Sequence, residues 1–167
     1  MYRRIDDFLR DWTEESTSTL RVLRALTDES LEQRVTPDGR SIGGLAWHLV
    51  GSLGVMPGRA GLTGIHAPPP EVPAPAAAAV IADAYGRAAC SLAGAVPEQW
   101  TDEMLPEEVP MYVDPWPRGR VLSMIIRHQA HHRAQITVLM RQAGLAVPGC
   151  YGPSREEWAE RGMPAMQ

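Results

Sequence analysis

The chain has no lysine and no asparagine: all sixteen of its positive charges are arginine, set among plentiful alanine, proline and glycine. That bias is the mark of a GC-rich coding sequence and bears on no chemistry. Cysteine is scarce as well. Cys90 and Cys150 stand alone, with no C-x-x-C pair or ligand spacing, so no disulfide framework is expected and both read as packing residues. There is no surplus of positive charge. A net charge of -4 and a pI near 5.7 exclude the basic face that nucleic acid requires, and no nucleic-acid partner is expected.

Long apolar runs are missing too. No stretch approaches the roughly 18 uncharged apolar residues of a membrane span, so no membrane partner is expected. The opening MYRRIDDFLRDWTEE carries charges throughout and lacks the apolar centre and cleavage site of a signal peptide, which predicts a cytoplasmic protein. Several catalytic signatures are absent. There is no P-loop and no G-x-S-x-G elbow, and position 129 is Gln where a zincin needs the Glu of H-E-x-x-H. The last long helical segment contains no Glu, which disfavours a ferritin-like di-iron site.

What is present is helical periodicity. At 167 residues the chain fits one domain, 1–167, with a sizeable core. Ile5, Phe8, Leu9, Trp12, Ser16, Thr19, Leu20 and Leu23 recur at spacings of three and four and predict a helix from Ile5 to Leu26. Thr27 is placed to cap a short turn through Leu31, and Thr36-Pro37-Asp38-Gly39 reads as a tight turn. A second helix begins near Ser41, with Ile42, Leu45, His48, Leu49 and Ser52 inward, and is expected to end before Pro57. Residues 58–75, with Pro68-Pro69-Pro70, predict an extended connection. A third helix covers 76–95, with Val80, Ile81, Ala84, Tyr85, Ala88 and Leu92 on one face and Pro97 as its stop. The proline-rich 97–118 segment offers Trp100, Tyr112 and Trp116 to cover a rim or pocket. The fourth helix spans 119–143, with Val121, Met124, Ile125, His128, His132, Gln135, Ile136 and Leu139 in one stripe and Gly144 at its end. Ser154 and Glu157 have capping-box spacing and start a short terminal helix carrying Trp158. Strand signals are nearly absent. The expected fold is all-α: a four-helix bundle with a long crossover between helices two and three, plus a short C-terminal helix.

The chemistry lies in the histidines. His128 and His132, four apart, share one helix face and are close enough to hold one metal ion. His48 is inward on the second helix. Buried imidazoles need hydrogen-bond partners or a metal to offset their desolvation. Two readings therefore stand side by side: a metal site formed by His48, His128 and His132, or core histidines bonded to one another, to Ser16 or Thr19, or to water. His131 is rotated about 60° from His128 and 100° from His132, off the stripe, and is read as an outer partner of the site or as interface packing rather than a direct ligand. His66 belongs to a loop. Gln135 is positioned to orient a ligand or to serve as a core amide.

The segment RSIGGLAWHLV at 40–50, followed by HQAHHRAQITVLMRQAG at 128–144, resembles the signature of the DinB-like (damage-inducible) family of small bacterial four-helix bundles, which includes thiol S-transferases. The similarity extends through LTDESLEQRVTPDGRS and VPGCYGPSREEW to essentially the whole chain. The resemblance implies a metal held by His48, His128 and His132, a homodimer, and use of a low-molecular-weight thiol such as bacillithiol or mycothiol. Three imidazoles leave a coordination position open, and zinc, nickel, iron or manganese suits such a set. The expected function is a metal-dependent thiol S-transferase acting on an electrophilic small-molecule substrate. The alternatives are a metal-dependent hydrolase, which a first-helix carboxylate such as Glu14 or Glu15 near the ion would support, or a non-catalytic stress-induced metal-binding protein, which predicts a closed site without a pocket beside the metal.

Overall fold

A computed structural model describes residues 1–164. Four long helices, α1 (Ile5–Arg24), α2 (Ile42–Arg59), α3 (Ala78–Gln99) and α4 (Arg118–Gln142), form the bundle, and a short α5 (Arg155–Glu160) follows. Two-residue strands β1 (Glu108–Val109) and β2 (Trp116–Pro117) pair antiparallel just before α4. Around the bundle α2 packs against α3 and α4, and α1 packs against the same two, so α1 and α2 are diagonal to each other.

Hydrogen bonds fix the directions. Ala78 N–H donates to Asp28 beyond the end of α1, and Ile5 N–H donates to Asp102 beyond the end of α3, so these two helices run antiparallel. Thr63 after α2 meets Gln99 at the end of α3, which makes α2 and α3 parallel neighbours. Parallel neighbours cannot be joined by a tight turn, and residues 60–77 supply the long crossover. This segment is strapped along α2: Trp47 Nε1 donates to Val72 O at 2.8 Å, and Ala67 lies so close to Gly54 that a Cβ there would stand 2.9 Å from the Ala67 methyl.

The core runs between all four helices, with Phe8, Trp12, Leu49, Ile81, Leu92 and Ile125 almost wholly buried. Trp12 keeps its indole N–H satisfied on Ala89 O across the α1–α3 interface. Two helix ends depart from expectation. Pro57 does not end α2, nor Pro97 α3; both lie inside the last turns. A proline removes only its own donor and its strain is local, while the turns that follow bury Ala60 and Trp100. The true end of α2 is a Schellman cap: Gly61, at φ +92°, donates to Gly58 O, and Leu62 N–H donates to Pro57 O. Gly144, at φ +74°, closes α4 in the same way through Arg141 O and Met140 O. The Ser154–Glu157 capping box is formed as expected. Val80, expected inward, is exposed, and so is Cys90.

The faces of α1 and α4 are also more polar than expected. Ser16 is only partly covered, while Glu15 is buried one residue earlier; on α4, Gln129 and Arg133 are buried. Glu15 and Arg133 make a 2.8 Å ion pair across the core, and Arg133 also donates to Glu15 O, Thr19 Oγ1 and Tyr151 OH. Among the described residues no helix is long and apolar enough to cross a membrane.

Candidate metal centre

The α2–α4 contact brings His48 against His128 and His132. His48 Nε2 lies 3.2 Å from His128 Nε2, and His132 Nε2 lies 3.1 Å from the same atom. The three rings meet edge to face or tilted, at centroid separations of 4.4 to 5.0 Å. Their ligand atoms all lie within 4.8 Å of one another.

Hydrogen bonding alone does not satisfy this cluster. His132 Nδ1 is 2.7 Å from Gln135 Oε1, an acceptor, so its proton sits on Nδ1 and its Nε2 carries a lone pair. His128 has one Nε2 facing both neighbours; protonated there, it donates to one of them at most and leaves a buried Nδ1 with no partner. A cation at the convergence would accept lone pairs from all three imidazoles. Imidazole nitrogens are common ligands of divalent ions, so the chemistry of the donor set fits such an ion. Gln135 then holds one ligand in the required tautomer, the part played by outer partners of metal-bound imidazoles.

Charge agrees with this. Burial lowers the pKa of all three imidazoles, helped for His48 by His132 and Arg40, and His128 falls to about 4. For His132 the Gln135 hydrogen bond pulls the other way. Neutral imidazoles at pH 7 keep their lone pairs available. Thr19, considered as a histidine partner, instead accepts from Arg133, and Ser16 accompanies Thr13 O. His131 is exposed and packs edge-on against the His132 ring at 4.8 Å. His66 is on the crossover, exposed, its backbone N–H bonded to Ser91.

Two cavities flank the triad. One, of about 430 Å³, reaches His48 and His128 between Trp47, Met56, the Pro68–Pro70 run and Tyr112. The other, of about 460 Å³, reaches His132 and Gln135 between Val35, Leu45, Val138 and Leu139. Tyr112 is held at the first cavity by the Arg59 guanidinium, 4.9 Å from its ring centre. Arg40 lines both cavities. Periodicity could not single out Arg40, because it precedes the helix; its only signal was its place at the head of the RSIGGLAWH segment. Behind the histidines, Tyr85 OH donates to the fully buried Gln129 side chain, a contact between α3 and α4 that the apolar stripe did not reveal.

Known proteins share this architecture. The DinB family model matches residues 1–163. YrdA of Bacillus subtilis (strain 168), described as uncharacterised, is 44% identical over 165 residues, covering 99% of this chain and 98% of that protein. The crystal structure of a DinB-like protein from Bacillus cereus superposes with a TM-score of 0.86 at 41% identity, over 90% of this chain and 100% of the other. A second DinB-like structure, YjoA from Bacillus subtilis, shares the fold at 17% identity and a TM-score of 0.66, over 86% of this chain and 96% of its own. On this match over nearly its whole length, the chain belongs to the DinB family.

Proposed function

We propose that His48, His128 and His132 bind one divalent metal ion and that the protein is a metal-dependent thiol S-transferase. The observation that carries this reading is the open, aromatic-walled cavity that meets two of the three histidines. A structural or vestigial metal site has no need of such a space, whereas small-molecule sites are concave and largely apolar with a few convergent polar groups.

A divalent ion held by His48, His128 and His132 would supply Lewis acidity, enough to favour the thiolate form of a thiol near neutral pH. The protein's part is to bind and orient. Trp47, Met56 and Tyr112 offer apolar surface to the electrophile, and the proline run keeps one wall in place with little conformational freedom to lose. In the overall reaction a carbon–sulfur bond would replace the bond from carbon to the leaving group, which would depart with its bonding pair while the thiol proton balances its charge. Neither Cys90 nor Cys150 lines this cavity or the one beside His132, so the sulfur comes from a small molecule such as bacillithiol or mycothiol.

The hydrolase reading requires a carboxylate beside the ion. Glu14 and Glu15 line neither cavity, and Glu15 is committed to Arg133. The test has two stages. Elemental analysis of protein purified without a nickel column should find about one metal per chain in the wild type and none in His128→Ala. The loaded protein should then accelerate conjugation of bacillithiol or mycothiol to a chromogenic aryl halide. No metal after reconstitution with zinc, nickel, iron and manganese sinks the site; metal without conjugation by either thiol sinks the transferase reading.

A further inference from the structure

The charge around the triad does not balance. Three neutral imidazoles contribute nothing against a dication, and no Asp or Glu lines either flanking cavity. Apart from the histidines, the one charged side chain lining either space is another cation, Arg40. Arg40 is exposed, and among the described residues it enters no ion pair, unlike Arg34 with Glu32 on the same loop or Arg118 with Glu107. A guanidinium lining both cavities and a metal ion at the triad, with no carboxylate in either lining, would form a doubly cationic receptor. What binds there must bring negative charge at two points.

We propose that Arg40 anchors the substrate of this centre through a carboxylate, carried by the same small molecule whose other end takes the open metal position. This rests on the metal-site reading above and specifies the class of ligand: an anionic metal-binding group joined by a short link to a carboxylate. The guanidinium fork matches a carboxylate with two parallel hydrogen bonds. Its position between the cavities lets the carboxylate sit at their shared edge while an apolar remainder lies against Trp47 and Met56. The backbone already holds Arg40 in place: Ser41 caps α2 by accepting from Gly44 N–H, and Ile42 N–H donates to Gln33 O.

The test is ligand binding to the cobalt(II)-loaded protein, followed by its visible spectrum, with two matched pairs of probes. Mercaptoacetate and 2-mercaptoethanol differ by a carboxylate in a thiol; imidazole-4-acetate and 4-methylimidazole differ by one in a sulfur-free ligand. Each carboxylate member should bind about tenfold more tightly than its neutral counterpart, the low end for a charge-assisted pair open to solvent. In Arg40→Gln the preference should shrink to within about twofold, and Arg40→Lys should restore part of it. Raising the salt concentration should weaken the preference.

Equal binding of charged and neutral members, or a preference that survives Arg40→Gln, overturns the anchor and leaves thiol chemistry standing wherever the thiols bind. An Arg40-dependent preference in the imidazole pair with no binding of either thiol keeps the anchor and overturns the transferase reading. A wild-type protein that takes up no cobalt overturns both.

Discussion

Gln135 Oε1 accepts from His132 Nδ1 at 2.7 Å, three residues further along α4, and this bond decides which nitrogen of His132 faces His48 and His128. Removing it frees the imidazole to rotate and to change tautomer. Gln135→Ala should therefore lower metal affinity about tenfold or more, with little change in thermal stability because Gln135 is exposed. Gln135→Glu, which keeps the acceptor, should hold metal at least as well. Competition against a chelator measures both; unchanged affinity in the alanine variant removes the orienting role.

Arg133 and Glu15 form the bundle's internal ion pair, with side chains 2% and 10% exposed. Deleting one partner leaves the other charge buried. Arg133→Met should destabilise the fold by about 3–5 kcal/mol, read from urea unfolding. Adding Glu15→Leu should recover part of that loss, because the stranded carboxylate is then gone. If the double variant is no better than the single, the loss came from packing or from the bonds to Thr19 and Tyr151.

Acid should weaken the metal-free protein through the same histidines. Their folded pKa values lie below the ordinary 6.5, with His128 at about 4, because burial disfavours the imidazolium. As the pH drops below 6.5 the unfolded chain takes up protons that the folded chain refuses. The stability that these groups contribute is thus whole above pH 6.5 and is lost as the pH falls below it, for His128 through about 4. Glu156, held at about 2 by Arg141, loses its contribution in a lower window, beginning below the ordinary carboxylate value of 4.5. Urea midpoints at pH 7.5, 6.0 and 5.0 should fall in the wild type and fall less in His128→Gln. Equal slopes would show that the cluster does not exclude protons.

Two glycines predict opposite outcomes for the same substitution. A Cβ on Gly119, in the first turn of α4, would clash with the backbone carbonyl oxygen of Tyr2, the residue whose N–H donates to Gly119 O. Gly119→Ala should destabilise by about 1–3 kcal/mol or expel the N-terminal segment. Gly94 is exposed within α3 and has open space where its Cβ would be. Gly94→Ala should stabilise by about 0.5–1 kcal/mol. Melting temperatures of the two variants should move in opposite directions.

The sequence by itself determined the helices and the three histidines. Apolar residues at spacings of three and four set the inward faces, and an imidazole on such a face has to be paired or ligated, so His48, His128 and His132 stood out before any contact was known. Gly144 and the Ser154–Glu157 box marked their helix ends because local backbone geometry alone requires them. Other ends depended on what was packed around them. The turns after Pro57 and Pro97 stay helical because Ala60 and Trp100 are buried there, and no local rule weighs a proline's strain against distant packing.

Charged residues behaved likewise. Glu15 and Arg133 look like surface residues until α1 and α4 are docked, when each becomes the other's reason to be inside. Arg40 belongs to no periodic face, so its place in the lining of both cavities that flank the three histidines follows from the packing of α2 against α4. Periodicity records how strongly each side chain avoids water. Which polar groups end up facing one another depends on the docking of whole helices, and that is decided by the fold.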